Sequence, residues 1–276
     1  MTHPAFAPGH TALVTGGASG IGLAAATRFA ALGMRVIIAD LGMDRLAAAS
    51  DAITAAVPGA DVTYGECDVA NRDDLFALAQ GRGVDVLMNN AAISPNTSAI
   101  GGDHWKHMLD VNLWGVINGT QAFAPHMIER QKPGLIINTG SKQGITTPPG
   151  NPAYNVAKAG VKAFTEALQH ELRNTPDCQV SAHLLIPGFV WTGLTRRDGR
   201  TEKPDGAWTA ERTVDFMMDS IERGDFYILC PDNDVSRALD EKRIAWAAGD
   251  IIENRPPLSR WHPDYADKFK AFVDRQ

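Results

Sequence analysis

Apolar positions along the chain fall into two alternating patterns. Short β-branched runs are followed by longer stretches in which apolar residues recur at helical spacing. The runs predict strands near 11–15, 34–39, 61–67, 84–88, 134–139, 179–186 and 226–230. The stretches predict helices near 20–32, 43–56, 72–80, 102–131, 152–173, 207–223 and 234–248. Such alternation implies a parallel sheet covered on both faces, an α/β doubly wound fold of seven strands in a single domain. No repeat, low-complexity tract or linker divides the chain. Residues 1–9, with Pro4 and Pro8, read as a flexible leader. The least regular stretch is 188–206, with Gly193, Gly199, Pro204 and Gly206 among Arg196, Arg197 and Arg200. A loop after the sixth strand is placed to cover a ligand at the sheet edge. Its arginines fit either an acidic substrate or a solvated basic surface.

Beyond residue 232 the pattern turns helical. Val235, Leu239, Ile244 and Trp246 suggest a partly buried helix, which Pro256-Pro257 ends. Trp261, Tyr265, Phe269 and Phe272 mark a second amphipathic segment. Residues 233–276 therefore read as a helical extension packed on the domain or on a neighbouring subunit.

Composition narrows the class of protein. With 276 residues, 44% hydrophobic and 21% charged, the chain suits one large globular domain. A net charge of −6 argues against nucleic-acid and anionic-membrane partners. No apolar run approaches the roughly 18 residues of a membrane span. The first residues lack the basic-then-apolar pattern of a secretory signal. Cys67, Cys178 and Cys230 are odd in number and widely spaced, as expected of reduced, mostly buried thiols in a reducing, cytoplasmic compartment. His104 and His107 lie three apart with no third ligand in sight, so they read as an exposed helix face and no metal is expected.

Two constellations carry candidate chemistry. Thr15-Gly16-Gly17-Ala18-Ser19-Gly20-Ile21-Gly22 joins the first strand to the first helix, and Asp40 ends the second strand 18 residues after Gly22. Glycines let backbone approach a pyrophosphate, the helix N-terminus offers N–H groups, and an acid there accepts a ribose 2′-hydroxyl. The spacing is G-x-x-x-G-x-G rather than the general dinucleotide fingerprint. The second constellation is Tyr154 and Lys158, four apart on a predicted helix and so on one face, with Ser141 thirteen residues upstream of Tyr154. An ammonium beside a phenol lowers the phenol's pKa from about 10 and makes it a usable base. Ser141 is then placed to hold the oxygen of a carbonyl or alcohol while Tyr154 exchanges the proton.

Together with further ordered motifs, these resemble the short-chain dehydrogenase/reductase family from about residue 10 to about residue 232. Cys67-Asp68-Val69 is similar to its adenine-contacting strand end. Asn89-Asn90-Ala91-Ala92 is similar to its Asn-Asn-Ala-Gly element, with Ala92 in place of Gly. Pro187-Gly188-Phe189-Val190-Trp191-Thr192 is similar to the segment beside the nicotinamide. The resemblance implies a Rossmann-type domain over 10–232. Gly16, Ser19, Gly20, Ile21, Gly22, Asp40, Asp68, Val69, Asn90 and Ala91 would bind the cofactor, with Tyr154, Lys158, Pro187, Gly188, Val190 and Thr192. It also implies a catalytic tetrad of Asn112, Ser141, Tyr154 and Lys158, with Asn112 holding a relay water and Lys158 the nicotinamide ribose. A homotetramer or homodimer is expected.

NAD is expected over NADP, because Asp40 would repel a 2′-phosphate and neither Ser19 nor Leu41 is basic. The expected activity is hydride transfer between a secondary alcohol or ketone and that cofactor. The alternatives are a non-catalytic NAD(H)-binding regulator and a relative that reduces a carbon–carbon double bond. Gln143, Phe189, Trp191 and Trp208, with Ile145, are expected to line the substrate pocket. Lys142 stands where the family usually has a small residue and is expected to point to solvent.

Overall fold

The computed structural model describes residues 3–196 and 200–274. Arg197 and Gly199 of the expected covering loop lie outside the described residues. Strands β1 (Thr11–Thr15), β2 (Arg35–Asp40), β3 (Val62–Glu66), β4 (Val86–Asn89), β5 (Gly134–Thr139), β6 (Val180–Ile186) and β7 (Tyr227–Leu229) form one parallel sheet. Its order is β3-β2-β1-β4-β5-β6-β7. Leu13 of β1 stands between Ile37 of β2 and Leu87 of β4, and Asn89 faces Asn138 of β5. The central strands β1, β4 and β5 are buried along their whole length. That is why they read as unbroken apolar runs rather than alternating ones.

Helices α1 (Gly20–Ala31), α2 (Met43–Ala56) and α3 (Arg72–Ala79) follow the first three strands. The chain continues through α4 (Trp105–Leu109), α5 (Gly115–Glu129), α6 (Gln143–Thr146), α7 (Pro152–Asn174) and α8 (Ala210–Glu222). On one face of the sheet, Phe29 of α1 and Met217 and Ile221 of α8 pack with Ile38, Val86 and Leu135. On the other, Leu75, Phe123 and Leu172 pack with Leu13, Leu87 and Ile136. Neighbouring residues of one strand thus feed opposite cores, each fully buried Leu, Ile or Phe contributing about 1.5–3 kcal/mol. Helix starts follow local chemistry. Asn71 accepts from Asp73 N, Thr209 accepts from Arg212 N, and Pro152 opens α7.

Three expectations change. The stretch 102–131 is not one helix. Gly102 and His104 take left-handed backbone, α4 begins only at Trp105, and Asp110–Trp114 forms a π-helical turn before α5. The leader is docked over its described residues. Ala5 and Phe6 are buried, the Phe6 ring stacks on Phe29 at 5.4 Å, and Gly9 N donates to Gly33 O. Apolar spacing over so few residues carries no signal, and only α1 supplies the partner. The helix expected from 207 starts at Ala210, because Trp208 is held in backbone pairing with Phe189 and Trp191.

The extension consists of α9 (Arg237–Ile252), two short 3₁₀ turns (Ser259–Trp261 and Pro263–Tyr265) and α10 (Ala266–Asp274). It has its own aromatic knot. The Trp246 ring meets Phe269 and Phe272 edge-on at 5.3 Å each, and the Arg255 guanidinium lies 4.0 Å over its face. Trp246 Nε1 donates to Ser259 Oγ, whose hydroxyl is in turn held by Asp250. Trp246→Ala should cost about 3 kcal/mol and expose the segment after Asp250 to protease. A variant with wild-type Tm and wild-type cleavage would remove the ring from that role.

Candidate active site

The cleft opens at the C-terminal ends of the strands, across the gap between β1 and β4, and has a volume of about 570 Å³. Its floor is the β1–α1 turn. Gly16 and Gly20 take positive φ, and a Cβ on Gly16 would lie 2.7 Å from Ala91 Cα. Gly22 does not face the cleft. It sits beneath, where a Cβ would meet Gly16 O at 2.2 Å, so its lack of a side chain closes the turn. Ser19 takes extended backbone at the start of α1 and its side chain makes no cap hydrogen bond. The first turn of α1 thus has no cap from the Ser19 side chain, and a helix N-terminus of this kind suits a phosphate. Ser19, Gly20 and Ile21 all line it.

Asp40 ends β2 and is aimed over this turn. Its Oδ2 accepts from Ala18 N at 3.0 Å and its Oδ1 from Leu41 N at 2.8 Å. Asp68 and Val69, just past β3, line the same end. Asp68 is fixed by bonds with Ala70 N and Asp74, and Val69 packs so close to Gly115 that a Cβ there would touch it at 2.8 Å. Asn90 spans the gap. Its backbone N–H donates to Thr15 Oγ1, its Nδ2 reaches Thr15 O and Gly16 O, and its Oδ1 accepts from Thr139 Oγ1. Ala91 lies beside it in the wall. The donors at the α1 start, the bare backbone at Gly16 and Gly20, and the acid at Asp40 form a cradle that fits a dinucleotide.

The other end of the cleft is built by α6 and α7. Gly144 of α6 lies against the backbone of Lys158, where a Cβ would come within 2.5 Å, so the two helices lock at that point. Lys158 is only 2% exposed, and its ammonium donates to Thr139 O at 2.7 Å. The same ammonium stands 5.8 Å from the centre of the Tyr154 ring. Burial pushes the Lys158 pKa down to about 8. Ser141, Tyr154 and Lys158 line one wall. The Ser141 Oγ accepts from Gln143 N at 3.1 Å, which fixes the hydroxyl at the start of α6. Pro187, Gly188, Val190 and Thr192 close the opposite side, with Thr192 folded back over Gly20.

Asn112 is fully buried in the π turn and does not line the cleft. Its amide clamps the loop after β4, accepting from Ile93 N and donating to Ile93 O, each at 2.8 Å. The four residues expected in the substrate pocket are not in the cleft wall either. Trp208 is 5% exposed and turned into the core against Phe216, under the Arg212 guanidinium, because its backbone is paired with Phe189 and Trp191. Trp191 is covered by Arg196 at 5.1 Å, and Phe189 is an exposed residue whose N–H is bonded to Asp232. Gln143 meets the site through its backbone N–H to Ser141. Lys142 does not point to solvent but pairs with Asp232 and Asp240.

The wall also contains residues that the motifs did not single out: Ile93, Ser94, Val111, Leu194, Thr195 and His107. Most extend the Asn-Asn-Ala-Ala and Pro-Gly segments by a few residues, and continuing those motifs would have found them. His107 reaches the rim from α4, and among the described residues no cluster of three metal-ligating side chains includes it. Arg45 lines the Asp40 end, 3.8 Å from that carboxylate. Cys67 also lines the cleft, but burial and the nearby Asp74 and Asp68 push its thiol up to about 11, which disfavours the thiolate. No described helix is long and apolar enough to cross a membrane.

Residues 10–203 match the family model described as short chain dehydrogenase. A 3-oxoacyl-[acyl-carrier-protein] reductase of Synechocystis is 35% identical over 193 residues, which cover 67% of this chain and 75% of that one. A 3beta-hydroxysteroid dehydrogenase 2 of Eggerthella lenta is 32% identical over 201 residues, covering 70% and 75%. The crystal structure of a short chain dehydrogenase/reductase from Burkholderia phymatum in complex with NAD superposes with a TM-score of 0.81. That pair is 29% identical, over 93% of this chain and 98% of the other.

Lys158 gives the site a signature in stability. A lysine whose pKa falls from 10.5 to about 8 on folding penalises the folded chain wherever it still holds its proton, below pH ~8. Between about pH 8 and 10.5 the unfolded chain binds more protons, so that penalty is relieved as pH rises. Removing the charge should gain about 3 kcal/mol at pH 7, less about 1 kcal/mol for the lost bond to Thr139. Lys158→Met is therefore expected to raise Tm at pH 7, with the advantage shrinking by pH ~10. A variant less stable than wild type at pH 7 would contradict this.

Proposed function

The chain belongs to the short-chain dehydrogenase family, and from that membership we propose that it transfers a hydride between a secondary alcohol or ketone and NAD. Members of the family bind NAD or NADP and act as oxidoreductases. The observation that carries the finer reading is the convergence of Ser141, Tyr154 and a buried Lys158 on one wall of a cleft whose other end is the glycine turn and Asp40. NAD, when bound, supplies the hydride acceptor or donor.

The chain's own residues supply the rest. Tyr154 takes the proton of a substrate hydroxyl or returns one to a carbonyl oxygen. Lys158 stabilises the phenolate with a charge that cannot rotate away, since its ammonium is anchored on Thr139 O. It also holds the nicotinamide ribose. Ser141, oriented by Gln143 N, donates to the substrate oxygen and stabilises charge that develops there. Asn112 secures the loop after β4 through Ile93, which lines the cleft. The turn residues Gly16, Ser19, Gly20 and Ile21 take the pyrophosphate, Gly22 lets that turn close, and Asp68, Val69, Asn90 and Ala91 hold the adenosine half. Pro187, Gly188, Val190 and Thr192 flank the nicotinamide.

Preference for NAD rests on Asp40, a carboxylate at the ribose end that accepts a 2′-hydroxyl and repels a 2′-phosphate. Arg45 stands beside it, and in the absence of Asp40 its guanidinium would face that phosphate. The low-exposure, partly apolar wall of Ile93, Val111 and Leu194 favours a lipophilic substrate.

Tyr154→Phe should lower kcat by at least about 100-fold while leaving NADH binding, read by nicotinamide fluorescence, unchanged. Retention of more than a small fraction of the rate would refute Tyr154 as the proton carrier. Asp40→Ala should narrow the ratio of kcat/KM for NAD over NADP by about 10-fold. An unchanged ratio would refute Asp40 as the selector.

A further inference from the structure

Lys142 follows Ser141 directly, yet it neither lines the cleft nor joins the proton chemistry. Its ammonium is largely buried and lies 2.5 Å from Asp240 Oδ2 and 3.3 Å from Asp232 Oδ2. Asp240 belongs to α9 of the C-terminal extension, and Asp232 to the link between β7 and α9. Asp232 Oδ2 also accepts from Phe189 N at 3.3 Å, and Lys142 N donates to Pro187 O at 3.3 Å. A Cβ on Gly188 would lie 2.6 Å from Asp232 Oδ2 and 2.8 Å from Lys142 Nζ, so the wall's backbone rests on the ion pair itself. One cation therefore touches three pieces of chain: the Ser141 turn, the Pro187–Thr192 wall and the extension. Arg243 and Arg260 border the small cavity behind it, with Ile145 and Ile244.

Ions held this far from water cannot exchange a lost partner for solvent cheaply, so each carboxylate holds the ammonium in place. Burial raises the Asp240 carboxyl above its usual range while Lys142 pulls it down, as expected of a carboxylate that depends on this cation. The surface pairs of α9, such as Arg237 with Glu241, are exposed and lack this property.

We propose that the Lys142–Asp232–Asp240 cluster is a positioning device through which the C-terminal extension sets the placement of Ser141 and of the Pro187–Thr192 wall. The inference rests on the reading of those two elements given above and makes Lys142 and Asp240 positioning residues.

The test compares Asp240→Asn, Lys142→Met and their double variant, with Arg237→Ala as a control on the exposed face of the same helix. Steady-state kinetics with NAD and the best secondary alcohol are measured with hydrogen exchange of the NADH-bound protein. Asp240→Asn should lower kcat by about 10-fold, as a small misplacement of reacting groups does. KM for NAD should stay within about twofold. Exchange should rise at residues 141–146 and 187–192. The double variant should be no slower than the slower single, because both remove the same link. Unchanged kcat in Asp240→Asn, unchanged exchange in those two segments, the same loss in Arg237→Ala, or multiplied losses in the double variant would each overturn the proposal. Should Lys142→Met fail to fold, Asp240→Asn, nearly isosteric, decides alone. Wild-type protein silent with every alcohol, and unaffected by Tyr154→Phe in any assay, would sink the proposed function instead. The exchange data would then decide the positioning link alone, with unchanged protection overturning it.

Discussion

The break in strand order between β1 and β4 is the constraint on which the rest of the structure depends. The sheet grows from β1 through β2 to β3, and the chain then returns to lay β4 on the other side of β1. Connections leaving β1 and β4 go to opposite faces, so a crevice must open beyond their C-terminal ends. Six parallel strands deliver residues to that one edge: Gly16 after β1, Asp40 at the end of β2, Asp68 after β3, Asn90 after β4, Ser141 after β5 and Pro187 after β6. Thr15 and Asn90 tie the two banks together by hydrogen bonds across the break. A cleft gathered from residues so distant in sequence keeps its shape because the central strands beneath it, β1, β4 and β5, are buried along their whole length.

Under the Tyr154–Lys158 end of the cleft lie buried polar contacts that an apolar core would not need. Asn89 Nδ2 donates to Asn138 Oδ1, Asn138 Nδ2 to Thr165 Oγ1, and Lys158 Nζ to Thr139 O. Gly119 makes room, since a Cβ there would lie 2.3 Å from Asn89 Oδ1. The ladder fastens α7 to β5 side chain by side chain and so fixes where Lys158 ends. A buried ammonium opposes folding at neutral pH.

The extension lies outside the matched stretch, which ends at residue 203. It is nonetheless joined to the site. Its aromatic knot packs α10 on α9, and α9 carries Asp240 to Lys142. Ile251 and Ile252 remain exposed at the end of that helix, away from this contact.

What the sequence determined by itself was local or repeated. Alternating apolar runs and helical stretches located every strand to within a few residues, because a strand buried on both faces and a helix buried on one leave different spacings. That the glycine turn, Asp40, Asp68, Asn90, Ser141, Tyr154 and Lys158 meet at one cleft follows from local signals, because each sits at a fixed offset from a strand end or along one helix face. Tertiary structure alone decided the rest. Apolar character marks Trp208 for burial but not for which side of a loop, and pairing with residues 189–191 turned it from the cleft into the core. A lysine reads as solvated until its partner is known, and the acid that claims Lys142 from 90 positions further along the chain, Asp232, arrives only when β7 and α9 are in place. The π turn at Asn112 and the docking of Phe6 on Phe29 have the same origin. Contacts between segments far apart in the chain select among local conformations that are close in energy, and no local pattern records that choice.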